Sequence, residues 1–267
     1  MRRRVIGTMC IASLLTSACI LPKDQHADVM FGAQLASKFV HRGQTMVDRP
    51  VLQPTLKVTA PTVDGGGIRL QVDGNMDLRN DTGSAWFPDG HAGRFTQIEA
   101  VGAYSRTLGP VDLEGGVHGY NLPNGLEFPF GERGGTTEVF ISATTHLLEA
   151  NQYLQLNYDF DEVRGAYMRG GLSEDFDLGA GFALELDGSL AYASEAQSSW
   201  MYGLGESGFA DLRGMAELSY LFDERTVFTF SLNGSSIVDS KIRRWFVNDL
   251  GIDADPVWVT IGVVWTL

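Results

Sequence analysis

Cysteine is nearly absent: the 267 residues hold two, Cys10 and Cys19. Cys10 falls in a leader described below, so no pair survives export and a disulfide-held fold is excluded. Long apolar runs are missing too. Val5 to Leu15 is the clearest, and it is too short to cross a bilayer as a helix. With hydrophobic residues at 44%, a bundle of membrane helices is excluded. Positive charge is in deficit, with Lys and Arg at 20 against Asp and Glu at 33, a net charge of -13. That balance argues against nucleic acid as a partner. The five histidines (His26, His41, His91, His118, His146) show no metal-ligand spacing such as H-x-x-x-H, so no metal site is expected. The Gly131 to Gly135 run (GERGG) lacks the strand–loop–helix setting of a phosphate cradle, and no cofactor is expected.

What is present begins with export. Arg2, Arg3 and Arg4 precede the apolar run, and Thr16-Ser17-Ala18-Cys19 follows it. Charge, core length and small-residue exit read as a signal peptide over 1–18. Leu15 to Cys19 is also similar to a lipobox, with Leu one place upstream of the common pattern. Lipidation at Cys19 and ordinary cleavage near Ala18 are both open. A short lead-in, 19–28, then precedes a single domain, 29–267.

That domain alternates. Its clearest stretch is Gly67 to Leu78, where Ile68, Leu70, Val72, Gly74 and Met76 interleave with Arg69, Gln71, Asp73, Asn75 and Asp77. Ten residues of strict alternation fit a tilted transmembrane strand. Similar stretches run over Val29–Arg42, Val51–Ala60, Arg94–Arg106, Val111–Asn121, Thr136–Leu147, Gln152–Phe160, Gly165–Leu172, Gly179–Ala193, Phe209–Leu221, Thr226–Asn233 and Val257–Leu267. Pro54 is a blemish in the second, pointing to a bulge or a strained rim. The count is twelve. Every second connection is short (PTVDGG, TLGP, LEAN, SEDFD, FDER), and most of the others are long. Even strand number with short turns at one end predicts an all-β, transmembrane, antiparallel up-and-down barrel of about 12 strands. Aromatics near strand ends (Phe39, Tyr104, Tyr158, Phe160, Tyr192, Tyr220) suit an interfacial girdle.

Val257 to Leu267 ends the chain with an uncharged inward face: Trp258, Thr260, Gly262, Val264, Thr266. It resembles the closing strand of outer-membrane barrels, whose end is read by the barrel-assembly machinery. A second resemblance lies in the first hairpin, Ser37 to Val58. Ser37, Phe39, Val40, Arg42, Gly43 and Pro50 fit the opening pattern of the TorF-like outer-membrane proteins of Gram-negative bacteria, while Lys38 and His41 depart from it. This resemblance implies a barrel in the outer membrane, amid lipid and lipopolysaccharide, and implies no activity.

The predicted lumen carries the candidate residues. Its acids are Asp73, Asp77, Glu99, Asp112, Glu114, Glu138, Asp159, Glu185, Asp187, Asp211 and Glu217. Its bases are Lys38, Arg42, Lys57, Arg69, Arg169 and Arg213, with His118 and His146 beside them. The acid excess would favour cations in an open pore. The expectation is a narrow, porin-like channel for passive transport of small solutes or ions, mildly cation-selective and not an enzyme. A plugged structural or surface-interaction barrel is the first alternative. A hydrolase built on His118 or His146 with nearby acids and Ser142 is the second.

Overall fold

The computed structural model describes residues 26–80, 87, 91–123, 127–128, 131–132, 134–146 and 150–267. The leader and Cys19 lie outside the described residues. Sixteen strands appear in chain order: β1 (Asp28–Ala36), β2 (Phe39–His41), β3 (Gln44–Val47), β4 (Val51–Pro61), β5 (Gly67–Asp77), β6 (Phe95–Leu108), β7 (Val111–Asn121), β8 (Glu127–Phe128), β9 (Gly131–Glu132), β10 (Gly135–Thr145), β11 (Asn151–Asp159), β12 (Ala166–Gly179), β13 (Phe182–Ala193), β14 (Gly208–Asp223), β15 (Thr226–Ile237) and β16 (Val257–Thr266). Twelve of them close into one antiparallel barrel in the order β1-β16-β15-β14-β13-β12-β11-β10-β7-β6-β5-β4. The pairs β2-β3 and β8-β9 form two small separate ladders.

Alternation sets the two faces. Leu35, Leu56, Ile141, Leu154, Leu212, Phe230 and Ile261 all point outward and are exposed. Asn75, Glu138, Asn157, Ser189, Asn233 and Thr260 point inward and are buried. An apolar belt around the whole circumference exceeds any patch a water-facing surface tolerates, so this is a membrane-spanning surface. Aromatics gather at its two edges. Phe31 stacks on Trp265 and Phe182 on Tyr220 at the short-turn end, while Tyr192 meets Phe209 edge-on at the long-loop end. β16 closes the sheet, pairing with β1 from Met30↔Thr266 to Ala36↔Thr260 and with β15 on its other side. In lipid this matters for every backbone group, because none can turn to water.

The structure redraws several boundaries. The first wall strand stops at Ala36, not Arg42, and the chain turns inward as β2-β3. Phe39 therefore belongs to the interior, at 7% exposure, and not to the girdle. Ser173 to Asp177 is not a turn. It continues β12, and the reversal falls at Gly179-Ala180-Gly181, all with positive φ. Glycine supplies that left-handed backbone cheaply, whereas Ser173 to Asp177 alternate well enough to stay in the ladder. β15 runs on to Ile237. A register shift in β14 between Phe209 and Leu212 turns Ala210 inward, where it is buried, against the outward position its parity predicts. The last two long loops carry helices: α1 (Glu195–Tyr202), and α2 (Ser240–Arg244) running into a π-helical turn, Trp245–Leu250. Ser194 and Asp239 cap α1 and α2 at their N-termini.

Pro54 sits in mid-wall, three residues from the long-loop end of β4. The β1 ladder runs past it without interruption, through Ala33↔Pro54. Toward β5 the ladder skips Gln53 and Pro54, yet its register is the same on both sides. The result is a gap in the seam, neither a bulge nor a rim.

Close strand approach inside the barrel constrains β7. A β-carbon at Gly116 would meet the carbonyl oxygen of Gly102 and lie 2.8 Å from the Cα of Ala103. Backbone cannot step aside as a side chain can. Gly116→Val is expected to destabilise the barrel by about 1–3 kcal/mol, read as a lower urea midpoint in detergent micelles.

Candidate functional site

The site is the lumen, and its two halves differ. At the long-loop end the β2-β3 hairpin crosses the interior. Arg42 and Gly43 form its tip with φ of 47° and 80°. A left-handed arginine costs about 1–2 kcal/mol, so strong contacts must hold it. Arg42 Nη2 donates to Glu138 Oε2 at 2.6 Å and to the Tyr120 hydroxyl at 3.1 Å. Its guanidinium lies over the Tyr167 ring, 4.4 Å from the centroid. The Tyr202 hydroxyl of α1 donates to the Arg42 carbonyl at 2.9 Å. A β-carbon on Gly43 would stand 2.5 Å from the Asp211 Cβ, so the turn presses directly on β14. One short hairpin thus touches β7, β10, β12 and β14.

Two apolar clusters narrow this end further. One joins Met201, Tyr202, Ile242 and Phe246 from the inturned helices to Tyr167, Ala191, Ala210 and Ile237 of the wall. The other joins Phe39, Met46 and Val47 of the hairpin to Phe87 and Leu122, and Trp200 packs on both. Around this plug the charges are ion-paired or hydrogen-bonded. Arg169 Nη2 donates to Asp211 at 2.7 Å and to the Tyr167 hydroxyl at 2.5 Å, and Tyr167 donates to Asp211 at 2.7 Å. Glu99 bonds His118 at 2.9 Å and accepts from Gln97. Burial and the neighbouring Arg42 push the His41 imidazole down to about 3. It is neutral at pH 7, so its 4.0 Å approach to Glu99 is no ion pair there. Asp77 accepts from Thr96 at 3.0 Å. Asp159 accepts from the backbone of Asp161, Val163 and Arg164, which makes it the keystone of the β11–β12 turn. Arg213 lies 5.8 Å from the Trp258 centroid and reaches Asn233 at 3.5 Å.

The short-turn half is open. A cavity of about 720 Å³ is lined by Lys57, Arg69, Ser105, Thr107, Asp112 and Glu114, among others. Arg69 holds Glu114 through two bonds, 2.6 and 3.1 Å. Asp175, Glu185 and Glu217 stand directly opposite one another in one cross-strand row over β12, β13 and β14. Asp187 lies on the same inner face of β13 and accepts from Tyr153 at 2.8 Å. Among the described residues no ion pair is made by Lys57, Asp175, Glu185, Asp187 or Glu217.

Three predicted lumen residues lie off the barrel wall. Lys38 precedes β2 and pairs with Asp48 at 3.0 Å, so it is a hairpin residue and not a wall residue. Arg42 reaches the lumen from the hairpin tip, since β1 ends six residues earlier. His146 follows β10 at the short-turn rim and is exposed, bonded to Asp112 at 3.2 Å and to Asn151 at 2.5 Å. His118 and His146 therefore face separate carboxylates, Glu99 and Asp112. The candidate residues that sequence reasoning passed over are Tyr120, Tyr153, Tyr167 and Tyr202. The first three have inward parity within strands, a usable signal. Nothing local marks Tyr202, whose partner lies 160 residues away.

No family model and no curated protein sequence matches the chain. Among solved structures it is similar to the COG4313 outer membrane channel from Pseudomonas putida F1, with a TM-score of 0.55 and 10% identity, covering 94% of this chain and 98% of that one. It is also similar to the NanC porin, with a TM-score of 0.51 and 12% identity, covering 91% and 100%. At such identities the likeness is one of fold: a closed 12-stranded antiparallel barrel.

Two outcomes follow from this geometry. Arg42→Ala leaves Glu138, 1% exposed, as an uncompensated buried charge. It should cost about 3 kcal/mol in urea unfolding, and Glu138→Gln added to it should recover part of that loss. His146 titrates above its ordinary value because Asp112 and Asn151 hydrogen-bond its ring. A raised value means that the Asp112 contact is fully present at low pH and lost as pH rises through the folded-state pKa. The NMR titration of His146 should therefore move down in Asp112→Asn.

Proposed function

We propose that this chain is an outer-membrane channel for small solutes, narrowed at its external end by the β2-β3 hairpin and preferring cations. The observation that carries the reading is the unpaired carboxylate row Asp175, Glu185, Glu217, with Asp187 beside it, on the wall of an otherwise polar lumen. Carboxylates that form no ion pair in a confined, partly desolvated cavity attract cations more strongly than they would in bulk water. The topology supports the sidedness. Short turns, the start of β1 and the end of β16 share one end, which would face the periplasm, and the long loops with their helices would face outward. The likeness in fold to a solved outer membrane channel and to a porin agrees with the location. The TorF-like resemblance belongs to this same reading, because Phe39, Arg42 and Gly43, which carry it, lie in the hairpin that narrows the lumen.

The plug gives the plugged, structural reading some weight, since ion pairs and two apolar clusters fill the external half. Conductance separates the two. Purified barrel in a planar bilayer should pass small unitary currents, and deleting residues 38–48 should raise them several-fold. In a salt gradient, Glu185→Gln with Glu217→Gln should shift the reversal potential toward zero selectivity. If neither the intact chain nor the hairpin deletion conducts, the channel reading fails.

A further inference from the structure

The lumen holds a second, smaller cavity of about 200 Å³ against the β2-β3 hairpin. Its wall is Gln34 of β1, Gln53 and Thr55 of β4, and Asp73 and Asn75 of β5. Gln97 and Glu99 of β6 complete it, and Phe39 of the hairpin adds an aromatic ring. The way in lies along the lumen. On β4 the small cavity takes Gln53 and Thr55, and the open cavity of about 720 Å³ takes Lys57 and Thr59. On β5 the small one takes Asp73 and Asn75, and the open one Gly67 and Arg69. The two follow one another along the same inner faces, with Gln71, partly exposed, between them. A solute that enters at the short turns meets the small cavity next, below the hairpin.

The lining decides what fits. Among the described residues it has no lysine, arginine or histidine, so an anion would meet only like charge. Its two carboxylates each hold two donors already. Asp73 accepts from Thr55 at 2.7 Å and from Gln71 at 2.8 Å, and Glu99 holds Gln97 and His118. A cation finds barer carboxylates at Asp175, Glu185 and Glu217, on other strands. What stays open here is amide. Gln34 makes no hydrogen bond among the described residues, and the Gln53 and Gln97 carbonyl oxygens accept none. Gln34 lies across Gly262 of β16, where a β-carbon would stand 2.9 Å from its Cγ. Free amide donors and acceptors beside an apolar ring suit a ligand with a rim of hydroxyls and an apolar C–H face. The volume lies below the roughly 300–1,000 Å³ of pockets for drug-sized molecules and suits one sugar ring. We propose that this cavity is a subsite for a neutral hexose. Its hydroxyls donate to Asp73, Glu99 and the Gln53 and Gln97 oxygens and accept from the Gln34 amide, with its C–H face on Phe39. This names one solute class for the proposed channel and rests on that reading for the route of entry.

The test is saturation-transfer NMR on the full barrel in a zwitterionic detergent without a sugar head. The probes are methyl glucoside and, separately, glucuronate. The glucoside should receive saturation, and the glucuronate at least about tenfold less at equal concentration. Gln34→Leu keeps the bulk and breaks no bond of the fold, and it should weaken glucoside binding about tenfold through the lost hydrogen bonds. Heat-modifiable gel mobility checks that this variant is folded, and the comparison of the two probes needs only the parent chain. No glucoside signal from the parent chain, equal signals from both probes, or unchanged binding in folded Gln34→Leu would overturn the subsite. Displacement of the glucoside by an equal concentration of ethylammonium would overturn it too, because the carboxylates would then choose the ligand. Conductance is measured apart from binding. A barrel that conducts without binding the glucoside loses the subsite alone, and one that binds it without conducting loses the channel reading alone.

Discussion

Everything in this molecule depends on one constraint: in a bilayer each backbone N–H and C=O must find its partner within the protein. A sheet meets that demand only by closing, and β16 is the strand that closes it against β1. Closure fixes which residues see lipid, because a slip of one residue would turn every side chain to the wrong face. The belt of leucine, valine and phenylalanine and the polar lumen are two consequences of the same register. Pro54 departs from the rule. It stands in mid-wall without an N–H, and the structure answers with side-chain bonds on the inside and the Phe95 ring on the outside.

A closed barrel leaves an interior that must be filled or hydrated, and this chain does both. The long-loop half is narrowed by an inturned hairpin and two helices, packed on apolar residues and fastened by Arg42 to Glu138. Charges there are ion-paired or hydrogen-bonded, because one left without a partner so far from water would be costly. The other half keeps its water and can leave carboxylates unpaired. The division of paired and unpaired charge along the axis follows from where the plug ends.

Much of this was legible in the residues. Strand number, strand parity and the identity of most wall residues follow from period-two alternation, which lipid on one side and polar lumen on the other impose without relief. Turn positions marked by glycine and proline were legible at Pro61 to Gly66 and Thr107 to Pro110, though not at Gly179 to Gly181. The acidic stretch Ser173 to Asp177 misled because acids read as a turn, although here they extend the lumen wall. The fate of Phe39, Lys38 and Arg42 was not legible. They continue the alternation of β1, and only contacts with β7, β10, β12 and β14, all distant in sequence, draw them inward. The same holds for Tyr202 and the inturned helices, whose apolar faces have partners only once the barrel exists. Pro54 was visible as an anomaly, but its consequence needs the neighbouring Gly74 and the overlying Phe95, which the sequence does not bring together.

The central claim is that the plug narrows the long-loop half of the lumen and leaves the other half open to water. Thiol accessibility tests it most directly. Single cysteines at Ser189 and at Glu185 lie on the same inner face of β13, four residues apart, beside and beyond the plug respectively. In barrel reconstituted in vesicles, a small charged thiol reagent should modify the cysteine at Glu185 quickly and leave the one at Ser189 unmodified. Equal, rapid modification at both positions would contradict the account, because the lumen would then be as wide at Ser189 as at Glu185.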